Sequence, residues 1–308
     1  MREARAFSPA GITSFFEIRD RHSDGRPFED PARAGARGGG FIISRGVRTC
    51  VRLQPARKSR IRTRINNRWA PEATTTVSAV SRLLDICREK YNVTVDHQVS
   101  VPIGAGYGAS AAGTLSAALA FAGAADLALS VNQIGRVAHA AEIANRTGLG
   151  GIGPLLTGGF VLSRKSGGPG IAVIDRIPVS PKMKVVSACV SPLSTKAVLR
   201  SQVLRKKINT LGGATFRAIT RDLRPRNFMR ASRAFAYGLN LMSPQTARLM
   251  ELMNDDEAIG ATQNMIGQAV HALAEAHVAE SILRAVKKRF PKLAAFSCDL
   301  DFTGAHIL

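Results

Sequence analysis

Val101-Pro102-Ile103-Gly104-Ala105-Gly106-Tyr107-Gly108-Ala109-Ser110-Ala111-Ala112-Gly113-Thr114-Leu115 decides the reading of this chain. Gly104, Gly106 and Gly108 alternate with other residues, and the apolar run Leu115 to Leu129 behind them predicts a helix opening near Ala109. Glycine admits positive φ and lets a backbone approach a ligand closely. A helix N-terminus adds unpaired N–H groups and the positive end of a dipole. Together these make an anion cradle, most often for phosphate. Ser110 falls at the helix mouth, where its hydroxyl can cap the helix or touch a metal–phosphate complex. The same stretch also fits a glycine-rich turn before an alanine-rich core helix, because small residues serve close packing.

Spacing excludes two common phosphate loops. A P-loop ends in Gly-Lys-Ser/Thr, and no lysine stands here. A dinucleotide fingerprint needs G-x-G-x-x-G, and the third glycine comes too early. At 308 residues and 45% hydrophobic content, one large domain or two medium ones are expected. The longest apolar run is broken by Gly123 and Asp126, and no signal-peptide core follows Met1-Arg2-Glu3-Ala4. A cytoplasmic protein with no membrane partner is expected. Cys50, Cys87, Cys189 and Cys298 lack CxxC spacing and read as buried thiols, not as zinc ligands or disulfides. The net charge of +21 favours anionic ligands and raises nucleic acid as a partner. That charge is spread along the chain, however, and one Trp and three Tyr supply few stacking platforms, so nucleic acid is not the expected partner.

Outward from the glycine stretch, the pattern predicts a strand from Ala4 to Ile18 interrupted by a turn at Ser8-Pro9-Ala10-Gly11. A polar loop is expected over 20–40, ending in Gly38-Gly39-Gly40, then hairpin strands at Phe41-Ile42-Ile43 and Val47 to Leu53. An exposed strand is expected within Arg57 to Asn67, a helix over Glu72 to Lys90 and a strand over Tyr91 to Val101. A second helix, Asn132 to Asn145, ends at the glycine stop Arg146-Thr147-Gly148-Leu149-Gly150-Gly151. Strands follow over 158–162, 171–177 and 184–190. A domain boundary is expected near Ser191-Pro192, giving domains 1–191 and 192–308. Beyond it, helices are expected over Thr195 to Leu211, Phe228 to Leu241, Pro244 to Met253 and Gln263 to Ala285, with short strands at Lys292 to Cys298 and Gly304 to Leu308.

The stretch Pro102 to Ala112 resembles the P-x-G-x-G-L-G-S-S-A-A signature of the GHMP small-molecule kinases. Ser8-Pro9-Ala10-Gly11-Ile12-Thr13-Ser14-Phe15-Phe16-Glu17 resembles the first substrate motif, in the wording of the archaeal pantoate kinase branch. Ala138-His139-Ala140-Ala141-Glu142 with Thr147-Gly148-Leu149-Gly150 resembles the helix and turn that carry a metal-binding carboxylate. Asn264-Met265-Ile266-Gly267 and Gly304-Ala305-His306-Ile307-Leu308 resemble C-terminal motifs of that branch. The resemblance implies an α+β GHMP kinase fold, with an N-terminal ribosomal-protein-S5-like domain and a C-terminal ferredoxin-like α/β domain. It also implies a homodimer, and ATP and Mg²⁺ as cofactors.

It further implies transfer of a phosphoryl group from ATP to pantoate, giving 4-phosphopantoate for coenzyme A synthesis. Two other readings stay open: a relative acting on another hydroxy acid or alcohol of homoserine or mevalonate type, and a silent member that binds ligand or RNA. By the same resemblance, Pro102, Gly104, Ala105, Gly106, Tyr107, Gly108, Ala109, Ser110, Ala111 and Ala112 would hold the phosphates. Ser110 and Glu142 would be the catalytic and metal-holding pair. Thr13, Ser14, Arg19, Arg146, Gly148 and Gly150 would line the acceptor site, with Arg19, Arg21 and Arg146 as candidates for its carboxylate. Many relatives carry an Asp after the glycine turn; here Gly150-Gly151-Ile152-Gly153 holds no carboxylate. Transfer without a dedicated base is therefore expected, as a loose transition state allows. His139 and Glu17 are the reserve candidates for a base.

Overall fold

Two long strands carry the fold. β1 (Arg2–Arg19) and β2 (Gly35–Pro55) pair antiparallel from Arg2↔Leu53 to Arg19↔Gly35 in a computed structural model that describes residues 1–193, 198, 200–255 and 257–308. The turn expected at Ser8-Pro9-Ala10-Gly11 is instead continuous strand, with register shifts between Pro9 and Ala10 and between Thr13 and Phe15. A bulge accommodates the missing proline donor without ending the strand. The loop expected up to Gly40 also gives way, because Gly35–Gly40 already belong to β2. A Cβ at Gly40 would lie 1.9 Å from the Ile12 carbonyl oxygen, and one at Gly38 would lie 2.3 Å from that of Phe15. These glycines let two strands approach closely; their composition resembles a loop while their role is packing. The two hairpin strands expected at 41–43 and 47–53 are accordingly parts of β2.

β5 (Tyr91–Val99) continues the sheet beside β2. β3 (Arg60–Ile65) runs parallel to β5, reached through α1 (Thr74–Cys87), and β4 (Arg68–Trp69) forms the edge. β12 (His306–Ile307) pairs with β1 at the other edge. β6 (Phe160–Lys165) pairs with the glycine segment of β2, and β7 (Val173–Arg176) with β6. α2 (Ala109–Ala124) packs against β1 and β2 on one side and against α1 and α3 (Val131–Asn145) on the other. That position explains an alanine-rich helix buried all round, where only small side chains fit between a sheet and two helices.

β8 (Lys184–Ser191), β9 (Gly260–Gln263), β10 (Gln268–Ala274) and β11 (Ala294–Asp299) form a second, antiparallel sheet in the order β11-β8-β10-β9. The change of sheet therefore falls between β7 and β8, ahead of Ser191-Pro192. The helix expected over Gln263 to Ala285 is replaced by the end of β9, all of β10 and a helix over Ala276–Arg289. Every residue of β10 is buried, Gln268 and His271 included, so neither face is solvent-exposed and the alternation that marks a half-exposed strand is lost. A helix spans Gln202–Arg221; the start expected at Thr195 lies outside the described residues. Helices Pro225–Leu239 and Pro244–Met253 fall where the periodicity puts them, each with proline in the first turn. Phe15, Phe41, Phe160 and Phe228 join the two sheets in one core, with Phe41 and Phe160 stacked at 4.5 Å. Among the described residues no helix is long and apolar enough to cross a membrane.

Candidate active site

Gly104, Gly106 and Gly108 adopt φ of 76°, 82° and 62°, the left-handed region that glycine reaches without strain. Gly108 is the N-cap of α2 and offers no side chain, and the first turn holds no acidic residue. The opening N–H groups of the helix are thus left for an outside acceptor. The loop is held from three sides. Tyr107 Oη lies 2.8 Å from Ser187 Oγ on β8, Gly11 N donates to the Tyr107 carbonyl, and Leu193 N donates to the Gly104 carbonyl. Burial raises the Tyr107 phenol and keeps it protonated.

Beside the helix mouth, Ser110 Oγ donates to Glu142 Oε1 at 2.7 Å, and Thr147 Oγ1 donates to the same oxygen at 2.6 Å. Glu142 projects from α3 and is buried, without a cationic partner among the described residues. Burial raises its pKa, and the bonds from Thr147 and Ser110 only partly oppose that rise. A Cβ at Gly148 would stand 2.1 Å from Glu142 Oε2, which explains the glycine there. Two hydroxyls and one uncompensated carboxylate form a hard oxygen donor set. Mg²⁺ fits it, because a cation would relieve the buried charge that nothing else neutralises. No group of three or more His, Cys, Asp or Glu among the described residues could hold a metal, so the remaining ligands would come from phosphate and water.

Loop and carboxylate open on one cavity of about 240 Å³. Gly104, Gly106, Tyr107, Gly108, Ala109, Ser110 and Ala111 line it, with Glu142, Thr147, Gly148 and Gly150. Pro102, Ala105 and Ala112 do not; Ala105 is buried beneath Gly267, and Ala112 is buried inside α2. Thr13 lines the cavity, but Ser14 is fully buried with its hydroxyl on His271 Nε2 at 2.8 Å. The Asn264 amide oxygen accepts from His271 Nδ1, so Nε2 is the acceptor and Ser14 the donor. Burial lowers the His271 pKa to about 3 and keeps the ring neutral.

Arg19 and Arg146 lie away from the cavity. Arg19 is half exposed and ion-paired with Glu17, and Arg146 caps α3 as an exposed residue in left-handed conformation. Arg21 is turned to Asp20 and to the Gly25 carbonyl and does not line the cavity. Neither reserve base faces the cavity. His139 lies 2.9 Å from the Ala34 carbonyl, and Glu17 is taken up by Arg19 and Arg37. Several lining residues were not assigned to the site from the sequence: Arg37 and Gly38, and also Thr147, Met265 and Ile266, although these three stand in the motifs quoted above. Met265 N donates to the Thr13 carbonyl, which carries the Asn264-Met265-Ile266-Gly267 motif to the first substrate motif. Its place in a motif was the one available signal.

The chain matches the family described as GHMP kinases N terminal domain over residues 74–159. It is 30% identical to the pantoate kinase of Methanospirillum hungatei over 283 residues, 91% of this chain and 89% of the relative. It is 29% identical to that of Thermococcus kodakarensis over 281 residues, 90% of this chain and 89% of the relative. A structure described as a phosphotransferase related to the CoA biosynthesis pathway superposes with a TM-score of 0.85 at 24% identity, covering 99% of this chain and 98% of the other. A homoserine kinase from Cytophaga hutchinsonii superposes at 0.74 and 16% identity over 100% and 98%; these two likenesses speak for the fold. The chain belongs to the GHMP kinase superfamily. It is a phosphotransferase of that type, for a small hydroxy acid or alcohol, in a family that generally uses ATP and Mg²⁺.

Proposed function

We propose that this protein phosphorylates pantoate at its primary hydroxyl with ATP, giving 4-phosphopantoate and ADP. The observation that carries the phosphotransfer is the pairing of an uncapped helix mouth with a buried, uncompensated carboxylate on one cavity. Pantoate as the acceptor rests on the two curated relatives and on the wording of the first substrate motif.

Backbone N–H groups of 106–111 orient the β- and γ-phosphates, and α2 directs its positive end at them. Ser110 and Glu142 would hold Mg²⁺ when it is bound, and Thr147 fixes the carboxylate by donating to the same oxygen as Ser110. Mg²⁺ held there would neutralise charge on the phosphate oxygens. Glu142, Arg37 and Tyr107 are the titratable side chains among the described residues lining the cavity; Glu142 is assigned to the metal, and the Tyr107 phenol, raised by burial, lies against Ser187 and stays protonated. The acceptor hydroxyl therefore attacks without a dedicated base and loses its proton late, to phosphate oxygen or water. Positioning and charge neutralisation supply the acceleration.

A coupled ADP-release assay across pantoate, homoserine and mevalonate tests the reading. Pantoate should give the highest kcat/KM. A better turnover of either of the others refutes the acceptor assignment, and ATP binding without turnover of any refutes the kinase.

A further inference from the structure

Arg37 was not among the residues that the motifs single out, yet among the described residues that line the cavity it is the one that carries a cationic side chain. It stands on β2 directly opposite Glu17 of β1. Its Nε and Nη2 donate to Glu17 Oε2 at 2.8 and 2.5 Å, which uses one edge of the guanidinium. Phe216, from the helix Gln202–Arg221, covers a face of the same group at 4.5 Å. The end-on edge, with Nη1, has no hydrogen-bond partner among the described residues. Glu17 is buried, and its other oxygen is ion-paired with Arg19 Nη2 at 2.6 Å. Two guanidinium groups thus share one carboxylate, which leaves a net positive charge beside the cavity. Gly213 faces Glu17 and Arg217 together, so nothing acidic from that helix balances it at this point.

We infer that Arg37 is the residue that binds the carboxylate of the acceptor, held in its pose by Glu17 and Phe216. This deepens the proposed function and rests on it for the reaction. A guanidinium has two edges that each fit a carboxylate, and here one is spent on Glu17, which leaves the other for a ligand. Half-burial strengthens the contact relative to water. Arg37 lies on the β2 wall beside Gly38-Gly39-Gly40, with Thr13 in the same lining, whereas the phosphate cradle is built from 104–111. Its anion is therefore the acceptor's carboxylate, and a neutral alcohol leaves the charge unanswered. Glu17 acts through Arg37 as a positioning residue.

The test compares pantoate with the neutral triol in which CH₂OH replaces its carboxylate. In Arg37→Met, KM for pantoate should rise about 10- to 100-fold, the size of a lost charge-assisted hydrogen bond. KM for ATP should move far less, and the wild-type preference for pantoate over the triol should shrink by a similar factor. Arg37→Lys keeps charge without the fork and should fall between; it also serves if the methionine variant does not fold. Glu17→Gln should raise KM for pantoate with kcat nearly kept. Equal shifts in the two KM values, or an undiminished preference for pantoate in both Arg37 variants, overturn the inference. If wild type prefers another hydroxy acid and Arg37→Met erases that preference, Arg37 keeps its role and only the pantoate assignment falls.

Discussion

Two glycine runs meet at the same cavity and do opposite work. Gly104, Gly106 and Gly108 have left-handed φ and free the backbone for a ligand. Gly38, Gly39 and Gly40 sit in a strand, and a Cβ on any of them would come within 2.7 Å of a backbone oxygen. The first run is defined by what approaches from outside, the second by what is already packed against it. Glycine count alone does not separate a site from its scaffold; the conformation and the neighbour do.

The strongest challenge to this contrast is chemical. Glu142→Gln keeps the shape of the ligand run's partner and removes its charge, and kcat should fall about 10²- to 10³-fold. Steady-state kinetics beside a thermal melt checks it; a fall in melting temperature that tracks the lost activity would place Glu142 with the scaffold.

Next comes Gly40→Ala, which drives a methyl into the Ile12 carbonyl and should cost about 3 kcal/mol or more in denaturant unfolding. Gly104→Ala should cost only about 1–2 kcal/mol, for an alanine at positive φ, and should weaken ATP binding measured by calorimetry. Equal stability losses with equal ATP affinity would erase the distinction.

The smallest effects come from pH. The Glu142 pKa is raised on folding. Its contribution to ligand-free stability is therefore full below the ordinary value of 4.5 and is lost as pH rises through the raised one. His271, in the scaffold, is depressed to about 3 from 6.5. Its contribution is full above 6.5 and is lost as pH falls toward 3, at up to about 1.4 kcal/mol per pH unit. Unfolding curves from pH 4 to 8 should show Glu142→Gln gaining on wild type with rising pH. A constant offset between the two would contradict the buried, charged carboxylate.

The features proposed for the phosphate side were legible because they are local: the glycine turns, the helix start and Ser110 lie within ten residues. The acceptor side was not. Thr13 and Ser14 both belong to the first motif, but neighbouring strand residues point to opposite faces, so one reaches the cavity and the other reaches His271. Arg19 has the right charge on the right strand and sits outside the lining; Arg37 acquires its role from a cross-strand partner twenty residues earlier. β10 escaped detection for a related reason, since burial on both faces erases the period that distinguishes strand from helix.

By itself the sequence determined the glycine turns and the helix behind them, because those depend on residue type and short spacing, while Glu142 was picked out through the resemblance of its motif. Tertiary structure alone decided which arginine meets the cavity, which hydroxyl is buried and why Gly38 to Gly40 are strand. Those outcomes depend on which surfaces are brought within a few ångströms by pairing between β1 and β2, and no local pattern encodes a distant neighbour.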